Sequence, residues 1–184
     1  MPGGEKGIGS DILSFALIAL IIVIPIRWFV AQPFIVRGAS MEPTFYTGEY
    51  LIVDQLTYRF EEPKRGDVVI LRYPKDESIY FIKRIIGLPG ETVDIQGNTI
   101  SVSKDGSEPE VLDQSFIDIS NVRPEFATYT LEGDEYFVMG DNRDESSDSR
   151  VWGPLPKRDL VGRALVRLFP PNRIDVLPGS LQTR

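Results

Sequence analysis

The sequence predicts a mainly β protein in which a single N-terminal transmembrane helix precedes an all-β domain of antiparallel strands. Two observations predict this fold class. One long apolar run, residues 12–30, lies near the start of the chain, and short β-branched runs separated by Gly and Pro fill much of the remainder. No later stretch has the periodicity of a long helix. With 184 residues, 42% of them hydrophobic, the chain can bury a sizeable core.

The apolar run is predicted to be a membrane anchor. As a helix, residues 12–30 would be about as long as a bilayer's hydrocarbon core is thick. Arg27 and Trp28, near the end of the run, suit the membrane interface. A cleaved signal peptide or a buried core helix are the alternatives, but the run is long for a signal peptide. Basic residues flank the run on both sides, so they do not fix its orientation. Residues 1–11, which are Gly-rich, are predicted to be a disordered tail.

Residues 31–184 are predicted to form the folded domain. Short apolar runs bounded by turn residues predict seven strands, at residues 50–53, 67–72, 80–86, 92–95, 99–102, 135–139 and 160–168. Residues 103–130 are polar and irregular, and we predict that they are an insertion. The tail from residue 170 is predicted to be poorly ordered at its end.

The composition excludes several kinds of function. The chain contains no His and no Cys, which excludes a Ser-His-Asp triad, a thiol nucleophile, a disulfide and an ordinary zinc site. If a serine is a nucleophile here, its base must be a lysine, a carboxylate or a terminal amine. The net charge of −7 argues against a nucleic-acid partner. The sequence predicts no cofactor and no metal.

Two residues are candidates for this chemistry. Ser40 follows the small residues Gly38 and Ala39 and precedes Pro43, in a predicted turn. Lys83 and Arg84 lie in the strand predicted at residues 80–86, on opposite faces that are otherwise apolar. One of the two cations must therefore point into an apolar environment, although a lysine on an edge strand can also reach solvent. Burial that lowers a lysine pKa from about 10.4 to about 8 costs roughly 3 kcal/mol, and arginine cannot lose its proton in this way.

A third candidate is the polar stretch at residues 140–150. A calcium loop is disfavoured, because Arg143 occupies the third ligand position and no Gly occupies the sixth. A polar network is favoured instead, in which carboxylates pair with Arg143 and Arg150 and serine hydroxyls can orient a neighbouring amine. Ser101 and Lys104 have the Ser-x-x-Lys spacing of penicillin-binding proteins, but no Lys-Thr-Gly accompanies them.

Together these stretches resemble the type I signal peptidases, which are membrane-bound Ser/Lys proteases that remove signal peptides from exported proteins. The resemblance covers four segments in family order: SMEPT from Ser40, GDVVIL from Gly66, YFIKRIIGLPGE from Tyr80 and GDNRDESSDSRVWGPLP from Gly140. It implies a catalytic domain of coiled antiparallel sheets.

The resemblance also implies roles for individual residues. Ser40 would be the nucleophile, Lys83 the general base, and Ser146 the hydroxyl that orients the lysine amine. The supporting residues implied are Asp148 and Arg150 as a salt-bridged pair, with Asp141 and Arg143 in the same region. Gly38 stands where some members have a serine that supplies a second oxyanion donor beside the N–H of Ser40. The implied substrate-binding residues are Phe34, Val36, Gly38, Met41, Phe81 and Ile82.

The function implied is a membrane-bound serine endopeptidase that cleaves signal peptides of exported preproteins after small residues, at A-x-A-like sites. Its domain would lie on the outer (trans) face of a plasma or thylakoid-type membrane, in contact with the lipid bilayer and beside the translocation machinery. One alternative is a self-cleaving Ser/Lys repressor-type protease, which the anchor and the acidic charge oppose. Another is a non-catalytic membrane-tethered β module, which would be expected to lack Ser40 or Lys83, and both are present.

Overall fold

Antiparallel pairing organises the described chain into two sheets. The computed structural model describes residues 12–21, 31–115, 117 and 123–181. Within them, residues 12–21 form helix α1 and Ser149–Trp152 form the short helix α2. The strands are β1 (Ala31–Ile35), β2 (Tyr50–Asp54), β3 (Val68–Tyr73), β4 (Asp76–Gly87), β5 (Glu91–Gly97), β6 (Thr99–Lys104), β7 (Glu110–Val111), β8 (Glu125–Thr130), β9 (Glu135–Met139), β10 (Leu155–Pro156), β11 (Leu160–Phe169) and β12 (Asp175–Val176). Single 3₁₀ turns cover Thr57–Arg59, Lys157–Asp159 and Pro171–Arg173.

The larger sheet has the order β1-β2-β11-β3-β4-β9-β10, and β12 pairs with β11 at one side. The smaller sheet has the order β7-β6-β5-β8. All of these pairings are antiparallel. The prediction of a mainly β fold is therefore confirmed.

All seven predicted strands are present, with bounds that differ by a few residues at most ends. The prediction that residues 103–130 are irregular is wrong in three places, because β6 extends to Lys104, Glu110–Val111 form β7 and residues 125–130 form β8. Strand β8 pairs with β5 along its whole length, and its side chains alternate between half-buried and exposed. That residues 103–130 are an insertion stays a prediction.

The predicted anchor is only partly described. Residues 12–21 are helical, whereas residues 22–30 lie outside the described residues, as do the tail at residues 1–11 and the last residues, 182–184. The large apolar side chains of α1 are exposed. Within the described residues, no helix combines the length and the apolar character needed to cross a bilayer.

The core lies on both faces of the central strands. On β3, Val68 and Ile70 pack in one apolar cluster, while Val69 and Leu71 pack in another on the opposite face. A third cluster lies between the ends of β4 and β9 and the smaller sheet. Strand β4 pairs with β3 and is buried from Ile82 to Gly87. Any polar side chain on that part of β4 is therefore held away from water.

Candidate active site

Strand β4 carries two buried cations on opposite faces. Lys83 is only 2% exposed and lies across from Val69 of β3, while Arg84 is 1% exposed and lies across from Val68. Strand alternation predicted that one of these two side chains points into an apolar environment, and in the structure both side chains are buried. The Nζ atom of Lys83 lies 5.2 Å from the centre of the Phe81 ring.

Ser40 lies in the loop between β1 and β2, next to the end of the Lys83 side chain. Its Oγ is 2.7 Å from Nζ of Lys83, which is hydrogen-bonding distance, although the two residues are 43 positions apart. The N–H of Asn142 donates to the carbonyl of Ser40 at 3.0 Å, so the loop after β9 holds the serine backbone. Within the described part of the chain, the N–H of Ser40 itself donates no hydrogen bond.

The environment of Lys83 favours the neutral amine. Burial is the main cause and lowers the pKa of Lys83 to about 8, from an ordinary value of 10.5. The carboxylates of Asp148 and Asp141 act in the opposite direction, and the charge of Arg150 adds to the lowering. A lysine with this pKa is neutral in a substantial fraction of molecules at mildly alkaline pH, and only the neutral form can accept a proton.

Asp148 and Arg150 form an ion pair beneath this site. Asp148 is fully buried, and its Oδ1 accepts from Nε of Arg150 at 2.8 Å. Its Oδ2 accepts from the N–H of Gly140 at 3.0 Å, and Asp148 also caps the N-terminus of α2. Nη2 of Arg150 donates to the carbonyl of Arg143 at 2.6 Å. One carboxylate thus ties both ends of the loop at residues 140–150 together.

Among the described residues, Arg143 has no carboxylate partner, contrary to that part of the predicted network. Its Nε donates to the carbonyl of Gly140, and its Nη1 donates to Oε1 of Gln114. Asp141 pairs instead with Arg84, through bonds of 2.8 and 2.6 Å. The cause is the pairing of β4 with β9, which brings the residues after Met139 next to the buried guanidinium that needs a counter-ion.

The structure does not contain the hydrogen bond from Ser146 that the resemblance implies. The Oγ of Ser146 is buried and has no hydrogen-bond partner among the described residues. The Ser146 hydroxyl and the carbonyl oxygen of Ser40 both lie close to Gly140, in the space that a Cβ atom would occupy there. A side chain on Gly140 would collide with both groups. Ser146 is therefore near the Ser40 loop, but its hydroxyl makes no bond to Lys83.

A cavity of about 290 Å³ opens beside Ser40 and Lys83. Four of the predicted substrate-binding residues line it: Phe34, Val36, Phe81 and Ile82. Five lining residues were not predicted: Ile35, Arg37, Leu51, Ile70 and Tyr80. Tyr80 packs on Phe34 with 5.5 Å between the ring centres, so the two rings join β1 and β4 at the wall of the cavity. The strand alternation that puts Ile82 on this face would also have pointed to Tyr80.

The other two predicted substrate-binding residues do not line the cavity. Met41 is 1% exposed and packs in the core with Val36 and Phe45, because the chain turns inward directly after Ser40. Gly38 has φ of +89°, and its carbonyl accepts from Oγ1 of Thr47 at 3.1 Å. A larger cavity of about 790 Å³ contains neither Ser40 nor Lys83. Among the described residues, no group of acidic side chains could hold a metal ion.

Comparison with known proteins assigns the family. Residues 10–169 match the family described as "Signal peptidase, peptidase S26". The chain belongs to this family. The resemblance stated from the sequence is thereby confirmed, and the chain is an enzyme, a peptidase.

Two relatives support the assignment through their sequences. A probable signal peptidase I-1 of Synechocystis is 36% identical over 85% of this chain and 81% of its own length. Signal peptidase I P of Bacillus subtilis subsp. natto is 37% identical over 92% of this chain and 96% of its own length. A crystal structure of a signal peptidase I from Enterococcus faecalis covers 56% of this chain and 97% of that chain, at 27% identity and a TM-score of 0.45. The assignment depends on the sequence matches.

Proposed function

We propose that this signal peptidase cleaves signal peptides from preproteins with Ser40 as the nucleophile and Lys83 as the general base. One observation carries the proposal. The Oγ of Ser40 lies 2.7 Å from an amine that is almost completely buried, and the chain contains no histidine that could act as the base. A serine hydroxyl is a weak nucleophile unless a neighbouring base takes its proton. Lys83 is the basic group at the required distance.

The reaction follows from this geometry. Neutral Lys83 accepts the proton of Ser40 as Oγ forms a bond to the carbonyl carbon of the scissile peptide. The tetrahedral intermediate collapses when the C–N bond breaks, and the protonated Lys83 gives its proton to the leaving amine. Lys83 then takes a proton from water as the water oxygen attacks the acyl ester, and it returns that proton to Oγ of Ser40 as the ester C–O bond breaks. A lysine has no tautomers, so it needs no third residue to fix one, in contrast to a histidine base.

The oxyanion of the intermediate needs hydrogen-bond donors. The N–H of Ser40 is available, since no described group accepts from it. A donor of this kind typically contributes a few kcal/mol to transition-state stabilisation. We propose that the second donor is a backbone group or water, because Gly38 has no side chain to offer.

We propose that the cavity beside Ser40 selects small residues at positions −1 and −3 of the signal peptide. Its aliphatic and aromatic walls favour apolar side chains, and a volume of about 290 Å³ that must receive two side chains of the substrate limits the size of each. The substrate would lie extended beside β1 and β4, with alternate side chains entering the cavity. Cleavage at A-x-A-like sites follows from these limits.

We further propose that residues 12–30 anchor the enzyme, with the domain on the trans face of a plasma or thylakoid-type membrane, in contact with lipid and beside the translocation machinery. The exposed apolar side chains of α1 are suited to lipid. Ser40 follows the run by only ten residues, so the site would lie close to the bilayer surface where signal peptides emerge. Release by alkaline carbonate, or protection of the domain from protease added on the trans side, would contradict this topology.

The catalytic proposal is tested with the full chain in detergent and a preprotein that has an Ala-x-Ala site. Wild-type enzyme should cleave after the second Ala, and Ser40→Ala and Lys83→Met should abolish cleavage. Matched controls are Ser101→Ala and Lys104→Met, which remove the same groups from β6 in the smaller sheet. Both controls should retain full activity. Undiminished cleavage by either Ser40→Ala or Lys83→Met would overturn the proposed pair.

A further inference from the structure

The C-terminal segment at residues 177–181, defined here as the C-terminal brace, contacts the groups that support the active site. The carbonyl of Gly179 accepts from Nη1 of Arg84 at 2.5 Å, and the carbonyl of Gly66 accepts from the same atom at 2.9 Å. Arg84 is almost completely buried and directly follows Lys83 on β4. The brace therefore supplies an acceptor to a buried cation adjacent to the proposed base.

Arg84 connects the brace to the nucleophile loop, defined here as residues 36–49 between β1 and β2, which contain Ser40. Its Nε and Nη2 donate to the two carboxylate oxygens of Asp141 at 2.8 and 2.6 Å. Such a bidentate ion pair fixes the orientation of the guanidinium and the carboxylate relative to each other. Oδ2 of Asp141 in turn accepts from Oγ1 of Thr44 at 2.6 Å, and Thr44 lies four residues after Ser40. A continuous set of hydrogen bonds thus runs from Gly179 through Arg84 and Asp141 to the loop that carries Ser40.

The brace also packs directly on that loop. Gly179 has φ of +75°, a conformation that favours glycine. A methyl group added there would lie 2.6 Å from Cγ2 of Thr44, and 3.3 Å from side-chain atoms of Phe45 and Val68. Because Thr44 and Phe45 belong to the nucleophile loop, a change of volume at Gly179 must displace either the brace or the loop.

Two backbone hydrogen bonds and one side-chain contact hold the brace in place. The N–H of Leu177 donates to the carbonyl of Leu165 on β11 at 2.7 Å, and the N–H of Ser180 donates to the carbonyl of Leu177 at 3.0 Å. The side chain of Leu181 packs against Gly66. The first bond ties the brace to the central sheet, and the second closes the turn that presents the Gly179 carbonyl to Arg84.

We propose that the C-terminal brace is a positioning element for the reaction, acting through Arg84, Asp141 and Thr44 to set the Ser40 loop against Lys83. This inference depends on the proposed roles of Ser40 and Lys83. Misplacement of reacting groups by a fraction of an ångström to 1 Å lowers the rate of the chemical step without weakening substrate binding to the same extent. The brace lies outside the cavity beside Ser40, so its loss should reduce kcat and leave KM nearly unchanged.

The test compares Gly179→Ala with Gly106→Ala in the full chain, using the preprotein cleavage assay. Both glycines have φ of +75°, but a methyl group at Gly106 meets no atom within 4 Å. The two variants therefore have the same backbone penalty, and only Gly179→Ala disturbs Thr44. We expect Gly179→Ala to lower kcat about 10- to 100-fold, with KM changed by less than about twofold, and Gly106→Ala to resemble wild type. Equal kcat in the two variants would overturn the proposal.

Variants at Thr44 provide rescue and a second comparison. Adding Thr44→Ser to Gly179→Ala removes the colliding Cγ2 and keeps the hydroxyl that donates to Asp141, so kcat should recover by most of the loss. Failure of this rescue in a folded double variant would contradict the proposal. If Gly179→Ala does not fold, Thr44→Val and Thr44→Ser decide the question. Loss of the hydroxyl in Thr44→Val should lower kcat about tenfold relative to Thr44→Ser, and equal values would overturn the proposal.

Ser40→Ala in the same assay separates the two proposals. If Ser40→Ala still cleaves the preprotein, the proposed function itself fails. If Ser40→Ala is inactive while Gly179→Ala matches Gly106→Ala, only the role of the C-terminal brace is wrong.

Discussion

Replacing Lys83 by Met should stabilise the folded protein while it abolishes cleavage. Burial lowers the pKa of Lys83 from 10.5 to about 8, so at pH 7 the folded protein holds a charged amine that is more costly there than in the unfolded chain. At 1.36 kcal/mol for each pKa unit, this penalty is about 3 kcal/mol. The hydrogen bond between Lys83 and Ser40 offsets about 1 kcal/mol of it. We therefore expect Lys83→Met to raise the free energy of unfolding by about 2 kcal/mol at pH 7.

The stability gained by Lys83→Met should become smaller as pH rises. The pKa of Lys83 is lower in the folded protein than in the unfolded chain, so the unfolded chain binds more protons between about pH 8 and pH 10.5. The contribution of Lys83 to the free energy of unfolding of the wild type therefore becomes more favourable as pH rises through this range. The advantage of the Met variant should be full below about pH 8 and should disappear as pH approaches 10.5.

The assay is urea unfolding of the full chain in detergent micelles, followed by tryptophan fluorescence at several values of pH. Lys104→Met is the matched control, because Lys104 is exposed at the end of β6 and its replacement should change the free energy of unfolding by less than about 0.5 kcal/mol. A Lys83→Met variant that is less stable than wild type at pH 7 would refute the reasoning. So would a difference that does not change with pH.

Three further predictions concern activity. Cleavage should increase with pH, with a midpoint near 8 set by loss of the proton from Lys83, and a profile that is flat from about pH 5 to pH 9 would contradict this. Ile82→Ala should enlarge the cavity and permit cleavage after larger residues. Ile100→Ala, the matched control in a different apolar cluster, should lower the free energy of unfolding by about as much as Ile82→Ala does, about 2–4 kcal/mol. It should leave the preference for small residues at the cleavage site unchanged. We propose that the Ser146 hydroxyl, which is buried without a partner, turns to the Lys83 amine during the reaction, in the role that the family resemblance implies. Ser146→Ala should then lower kcat at least about tenfold, while the free energy of unfolding stays equal or rises by about 1 kcal/mol because no hydrogen bond is lost. An unchanged kcat would show that Ser146 does not orient Lys83.

Much of the fold could be predicted because buried strands have a strong local pattern. The runs at β3 and β4 are apolar on both faces, as expected for central strands. Strand β1 was missed because it directly follows the long apolar run and contains Pro33, which is tolerated there because β1 is an edge strand. Strand β8 was missed because none of its side chains is fully buried. Its regularity comes from pairing with β5 and is not visible in its composition.

The site was predictable to the extent that its chemistry depends on single residues. The absence of histidine left lysine among the few possible bases, and strand alternation with the family resemblance pointed to Lys83. The partner of Asp141 could not be predicted in the same way, because Arg84 is 57 positions away and reaches Asp141 only through the pairing of β4 with β9. The contact between Gly179 and Arg84 depends likewise on the path of the chain after β11.

Direct titration of the Lys83 amine is the most direct test of the claim that a buried lysine acts as the base for Ser40. NMR of the full chain with isotopically labelled lysine side chains can follow this titration, and Lys83→Met assigns the signal. We expect a midpoint near pH 8, far below that of the exposed lysines. A midpoint at or above about 10, the ordinary lysine value, would contradict the account, because the amine would then be almost fully charged and unable to accept the proton of Ser40.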